Sequence, residues 1–410
     1  MKSGELALES RPLLSAARAA RRALLLDEAA AEFRRTGVAG ADLIRIARSV
    51  GLTRPSLYNY CSDRGDLARQ CYFHLLDPLL ADLDRAAEAA SGLAAVLSFL
   101  TAACERDQSH AIIAAELDTL PADERHEIVA RQSQVFDRLA ALIERGIVDG
   151  SIRRCDAAIA ARTIWGMIAW APLGDIWARR AESGRLSVEL PGIVERGVST
   201  GAAPRRVEDV EIEDWEALAP PPPACRAGEI VTAASALFNA RGVEGVSLDD
   251  VAAAMSATKG LIYHHFASKA ELVAACLDRA FALYDRLLDR AERHPGGADR
   301  ARAGLTLNIQ AQLDPAGPMS LTAAAYHKLS EEERTRFGTQ TNHLLDRSIA
   351  TMELGTADGS LRPFEAEPTA LASAGTFNFV ARWLPADAAL RPRHVAFEVS
   401  NLFLHGLREA

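Results

Sequence analysis

Residues 21–71, moved along the chain by 205 positions, align without a gap onto residues 226–276. Phe33 meets Phe238, and Gly37, Val38 and Gly40 meet Gly242, Val243 and Gly245. Leu43, Ala47, Thr53, Tyr58 and Leu67 then fall on Leu248, Ala252, Thr258, Tyr263 and Leu272. A shift of 209 places ERGIVDGSIR (144–153) on ELGTADGSLR (353–362), Gly166 on Gly375 and Gly197 on Gly406. Conserved order and gapless stretches mark an internal duplication, so the chain is constrained to fold as one unit made twice. Its 410 residues suit two such units, each long enough to bury a full core.

Hydrophobic residues make up 49% of the chain and charged residues 25%, a balance that fits a soluble, mostly helical protein rich in Ala, Leu and Arg. No apolar run approaches the roughly 20 residues of a membrane span, and the opening MKSGELALESRPLL lacks the apolar core of a signal peptide. The expected location is the cytoplasm. Six cysteines, Cys61, Cys71, Cys104, Cys155, Cys225 and Cys276, stand without any C-x-x-C pair, which points to reduced thiols and to neither a zinc site nor a disulfide framework. His264 and His265 are adjacent on a predicted helix and diverge, a poor metal pair. No P-loop, dinucleotide fingerprint, nucleophile elbow or zinc-protease motif occurs, so neither an enzyme nor a cofactor is expected.

The net charge of −9 argues against a protein coated in nucleic acid but leaves room for a local basic face. Arg18 to Arg69 carries ten arginines against six carboxylates, a balance of +4, whereas Arg226 to Cys276 carries four basic and five acidic residues, a balance of −1. The two copies are electrically unlike.

In copy 2, Ile230, Val231, Ala234, Leu237 and Phe238 follow an amphipathic helical rhythm that Gly242 ends. Ser247 followed by Asp250 suits a capped start, and Leu248, Val251, Ala252 and Met255 form the apolar face of a short second helix. Copy 1 repeats this with Leu43, Ile46, Ala47 and Val50, turning at Gly51. A third short helix is predicted over 54–60 and 259–265, with Leu57 or Ile262 facing inward. Periodicity alone allows any small helical bundle here. The stretch AAPRRVEDVEIEDWEALAPPPPAC (202–225), acidic in its middle and ending in four prolines, reads as a linker, with Trp215 either pinned to a surface or merely tethered.

The segment ALFNARGVEGVSLDDVAAAMSATKGLIYHHFASKAELV resembles the N-terminal domain of the TetR family of transcriptional regulators across its length, through the Phe, the Gly, the capped second helix, Y-H-H-F and the following Lys. The resemblance implies an all-α protein of two tandem units. Each has a helix-turn-helix DNA-binding head, over 16–74 and 226–276, and a helical regulatory and dimerisation body, over 75–201 and 277–410. It further implies a third helix lying in the major groove of double-stranded DNA. Thr53, Arg54, Thr258 and Lys259 would then point toward base edges or nearby phosphates, with Arg54 suited to a bidentate contact on guanine. Tyr58, Tyr263, Arg64 and Lys269 would hold phosphate oxygens, and His264 and Ser247 would lie near the backbone. Copy 1 departs from the pattern at Asp42, which stands where Ser247 does and would repel DNA, and at Cys61, which stands where Phe266 does and shrinks the core.

In the resembled family the body holds a small-molecule effector pocket and two helices that pair with a partner subunit. The candidate pairing helices are Asp156–Trp177 with Pro191–Val198, and Pro368–Trp383 with His394–Leu407; Pro191 is expected to begin or kink its helix. Trp165, Trp170, Phe377, Phe379, Trp383, Leu402 and Phe403 supply large apolar surface for this pairing or for the core. The two copies would then form an intramolecular pseudo-dimer able to read two unlike half-sites, with a homodimer of chains as the other assembly. Asn308, Gln310, Gln312, Tyr326, His327, Asn342 and His343 are candidate pocket polar groups, against the plainer reading of solvated helix faces. Repression released by an effector is set against a helical adaptor or ligand-binding protein in which one or both heads have lost DNA binding.

Overall fold

The computed structural model describes residues 5–106, 117, 120, 122–178, 183–221, 223–378, 380 and 391–409. Among these residues every extended element is a helix, and the only β pairings are two isolated bridges. Copy 1 runs α1 (Glu5–Gly40), α2 (Leu43–Ser49), α3 (Arg54–Leu57), α4 (Arg64–Ala86), α5 (Gly92–Glu105), α6 (Ala122–Asp149), α7 (Ala157–Ala178) and α8 (Ser183–Arg196). Copy 2 runs α9 (Arg226–Arg241), α10 (Leu248–Ala254), α11 (Lys259–His265), α12 (Lys269–Ala291), α13 (Gly297–Leu313), α14 (Ala323–Lys328), α15 (Glu331–Ala357), α16 (Ala366–Phe377) and α17 (Pro392–His405). The long α4 and α12 pass from head to body without a break, so each head is mechanically joined to its body by one rod.

The duplication is repeated in detailed contacts. Asp149 accepts from Gly92 N at 2.8 Å and Asp358 accepts from Gly297 N at 2.8 Å, closing equivalent corners of the two bodies. Arg138 pairs with Asp84 across α6 and α4, as Arg347 pairs with Asp289 across α15 and α12. Such reuse fixes the helix register twice with the same chemistry.

Helices α7 and α8 pack against α16 and α17, and one apolar core runs through both bodies from Leu76 and Phe99 to Leu402 and Phe403. Main-chain bonds stitch this seam: Arg153 N donates to Leu407 O at 2.8 Å, Arg362 N to Val198 O at 2.7 Å and Val198 N to Phe403 O at 3.1 Å. The first two are equivalents under the duplication. Gly197 and Gly406, also equivalents, both take positive φ, at 66° and 67°. A Cβ on either would overlap the backbone of the other copy, so only glycine lets the chains cross there. Phe379 and Trp383 lie outside the described residues. Trp177 is fully buried and meets the Tyr326 ring of copy 2 edge-on at 5.4 Å, so this α7 residue is core material for the opposite copy.

Three sequence expectations are modified. Pro191 lies inside α8, which starts eight positions earlier, at Ser183. Its missing N–H removes one bond from the ladder without ending the helix. The third helix of copy 1 is a single turn, Arg54–Leu57, because Asn59 N and Tyr60 N bond three residues back, to Ser56 O and Leu57 O, which tightens the backbone. The connecting segment is docked rather than loose. Trp215 is buried and donates from Nε1 to Asp314 at 2.6 Å, while Glu213 holds Arg290 at 2.9 Å and His294 at 3.0 Å. Its sequence is polar, but the partners of Trp215 and Glu213 lie 77 to 99 residues away, beyond any local pattern.

Candidate nucleic-acid interface

Each head is three helices around one apolar knot. In copy 2 Phe238, Val251, Ala252 and Ile262 are buried; in copy 1 Phe33, Ala47 and Leu57 take the same places. Ala252 O accepts from Ala257 N at 2.9 Å and Ala47 O from Leu52 N at 2.8 Å, giving both copies the same turn between second and third helix. At the centre of that turn copy 1 has Gly51 at φ 70° and copy 2 has Ser256 at φ 51°. Cys61 and Phe266 are both buried, so the smaller side chain of copy 1 does leave less apolar volume under its third helix.

The exposed ends of these helices carry the candidate contacts. Thr53 and Thr258 are the N-caps of α3 and α11, accepting from Ser56 N at 3.3 Å and Leu261 N at 3.4 Å. Their backbones are thereby fixed at the helix start, with Arg54 and Lys259 as the first helical residues, both exposed. Tyr58 and Tyr263 are 46% and 47% exposed, the same presentation in both copies. His264 is exposed beside His265, their rings edge-on at 5.1 Å. Arg64 is the first residue of α4 and is exposed.

Electrostatics separate the heads. Lys259 is held by Asp249 at 2.8 Å and lies 5.6 Å from the Tyr263 ring centre. The Asp249 carboxylate raises the Lys259 ammonium above its usual value. Lys269 is half-buried and lies 3.7 Å from Glu244, which also takes Lys328 of α14 at 2.7 Å. Burial lowers the Lys269 ammonium, opposed by Glu244 and assisted by Lys328. Glu244 therefore ties the head of copy 2 to α14 of its own body. Ser247 donates to Asp250 Oδ2 at 2.5 Å and accepts from Asp250 N at 3.1 Å, a closed capping box that uses the hydroxyl fully. In copy 1 Asp42 caps α2 instead, accepting from Ile44 N at 2.8 Å. Glu32, buried beneath that cap, is matched by Arg35 at 2.9 Å and by Arg45. The clamps of Asp249 on Lys259 and Glu244 on Lys269 were not legible in the sequence, because each crosses between elements.

Of the candidate pocket groups, Asn308 lines a cavity in the body of copy 2. Gln310 donates to Glu213 O of the docked segment, and Gln312 donates to the Tyr284 hydroxyl, so both serve the packing instead. Among the described residues no group of three metal-ligating side chains gathers, and no helix is long and apolar enough to cross a membrane.

Comparison with known proteins returns the same unit. A model described as bacterial regulatory proteins, tetR family, matches residues 230–276, and one described as tetracyclin repressor-like, C-terminal domain, matches residues 93–173 and 295–407. The probable HTH-type transcriptional regulator ArpR of Pseudomonas putida is 34% identical over 109 residues, 26% of this chain and 44% of that protein. The HTH-type transcriptional repressor KstR2 of Mycobacterium tuberculosis is 38% identical over 68 residues, 16% of this chain and 34% of its own. The chain thus spans less than half the length of these curated relatives. Among solved structures, AibR in complex with isovaleryl coenzyme A and operator DNA aligns over 42% of this chain and 94% of its own, at 23% identity and a TM-score of 0.36. The structure of KstR2 of Mycobacterium tuberculosis aligns over 46% and 98%, at 18% identity and a TM-score of 0.39. The two models together match more than half of the chain, which belongs to the TetR family of regulators with its unit present twice.

Proposed function

We propose that the protein is a sequence-specific DNA-binding transcriptional regulator, a repressor released by a small-molecule effector, in which one chain supplies both reading heads as an intramolecular pseudo-dimer. The observation that carries this reading is the seam: α7 and α8 pack on α16 and α17, leaving two helix-turn-helix heads on one continuous pair of bodies. A two-fold dimer reads a palindrome because its heads are identical; here Arg54 and Asp42 in one head oppose Lys259 and Ser247 in the other. The unlike heads favour an operator with two unlike halves. Thr53, Arg54, Thr258 and Lys259 would address base edges, and Tyr58, Arg64, Ser247, Tyr263, His264 and Lys269 the sugar-phosphate backbone.

One observation favours a second reading, a helical adaptor that has given up DNA. Lys259 and Lys269 are each engaged by a carboxylate, and Asp42 places another at the start of α2. Selection of duplex DNA by the full chain at a stated salt concentration, with the mass of the bound complex recorded, separates these. An enriched site with unlike halves on one chain is the expected result. A palindrome holding two chains would replace the pseudo-dimer by a homodimer, and enrichment of nothing would leave the adaptor.

A further inference from the structure

The body of copy 2 holds a partly open cavity of about 120 Å³ whose walls come from both copies: Trp170 and Ala178 of α7 face residues of α12, α13, α15 and α16. Two asparagines on its wall are almost fully buried, Asn308 at 5% and Asn378 at 3% exposure. Each donates from Nδ2 to the carbonyl one helical turn back, Asn308 to Gly304 O at 2.8 Å and Asn378 to Ala374 O at 3.0 Å. Rotating either amide would set its oxygen against that carbonyl oxygen, so the orientation is fixed by the helix itself. Both Oδ1 atoms are left buried and, among the described residues, without a hydrogen-bond partner. A buried acceptor in that state is destabilising unless something donates to it.

The hydroxyls in the lining point the same way. The hydroxyls of Thr341, Ser348, Thr351 and Ser373 each donate to a backbone carbonyl of their own helix, so only their oxygen lone pairs remain. Glu292 accepts from Arg347 at 2.8 Å and Arg300 donates to His294 O at 2.7 Å, so the two charged wall residues are engaged and opposite in sign. The rest of the lining is dominated by apolar side chains such as Leu305, Leu344 and Met352. The volume is close to the roughly 150 Å³ known to take up benzene in an apolar protein cavity.

We propose that this cavity binds a small, mainly apolar molecule that donates hydrogen bonds, an uncharged aromatic or alicyclic alcohol or an aromatic amine. Its donors meet Asn308 Oδ1 and Asn378 Oδ1, and its ring fills the space between α13, α15 and α16 against Trp170 of the other copy. A carboxylate is disfavoured, because it brings no donor to the two asparagine oxygens, while Arg300 in the lining already donates to His294 O. The site assignment stands on the cavity alone, while its role as the effector site rests on the regulatory reading above. Since α7 and α16 both line it and also pack on each other, an occupant sits on the seam that positions the two heads.

Calorimetry on the full chain without DNA, titrating phenol, aniline, toluene and benzoate, tests the assignment. Phenol and aniline are expected to bind at least about tenfold more tightly than toluene, with benzoate weakest. Phenol has one O–H and reaches one of the two oxygens at a time, so the double variant Asn308→Leu/Asn378→Leu is expected to bring phenol and toluene to within about threefold of one another. That ratio is read on one folded variant, so a loss of stability alone does not mimic it. Equal binding of phenol and toluene by the unmodified chain, preference for benzoate, or no uptake of any of the four at millimolar concentration overturns the proposal. Donor-selective binding that leaves the DNA complex unchanged keeps the site and removes its effector role.

Discussion

Lys259, which we propose addresses DNA, is held by a carboxylate in the free protein. It begins α11, is exposed, and is bonded to Asp249 of α10 at 2.8 Å. A phosphate competing for that ammonium must first displace a carboxylate, and the carboxylate itself repels the duplex. Asp249→Asn is therefore expected to tighten DNA binding by about three- to tenfold at low salt, with the gain shrinking as salt rises. Fluorescence anisotropy across a salt series checks this, and weaker binding by the variant would show that Asp249 orients Lys259 rather than masking it. The N-cap Ser247 and its partner Asp250 are untouched, so α10 keeps its start. The candidate contacts themselves were readable in sequence because they lie within one short motif. Asp249 as a restraint was not, since ten residues separate it from Lys259 and only the crossing of α10 and α11 joins them.

Helix by helix, the heads differ in how firmly they are built. The apolar knot of copy 2 continues into its body and reaches Trp170 and Trp177 of α7. Among the described residues that of copy 1 forms a separate cluster, its buried members running from Leu25 to Tyr72 with Leu120 and Ile128 of its body. Its third helix is four residues long against seven in copy 2, and Cys61 fills less space than Phe266. Local opening needs less free energy where fewer apolar contacts must break. Amide exchange followed by mass spectrometry should thus find residues 42–61 exchanging at least about tenfold faster than residues 247–266 in the free protein. Equal protection would mean that the smaller core is compensated elsewhere. Amphipathic rhythm revealed α9, α10 and α11, because each buries one stripe against its neighbours. The same rhythm could not show that α8 continues through Pro191 or that Trp215 is buried, as both depend on the opposite face being supplied from far along the chain.

At the scale of the molecule, the seam between copies is held by groups that duplication placed in register and later divergence made unequal. Arg153 and Arg362 are equivalents, and both act on His405 at the end of α17, together with Arg302 of α13. His405 accepts from Arg302 at 2.9 Å through Nε2 and donates from Nδ1 to Gly201 O at 3.2 Å, which requires the neutral ring. Burial first, then the guanidiniums of Arg302, Arg153 and Arg362, push its pKa down from 6.5 to about 4, against a smaller opposing effect of Gly201 O. In the unfolded chain the imidazole takes up a proton as pH falls through its ordinary value, while in the folded chain it stays neutral until about 4. Its contribution is therefore complete above about pH 6.5, declines between 6.5 and 4, and changes no further below that. The loss over that window is on the order of 3 kcal/mol. His405→Gln keeps an acceptor for Arg302 and a donor for Gly201 but cannot be protonated. Denaturant titrations from pH 7.5 to 4 should show the unmodified chain losing stability relative to this variant as pH drops below about 6.5. Parallel curves for the two proteins would mean that His405 is no more perturbed than in the unfolded chain, and the seam would then owe nothing of its pH response to this cluster.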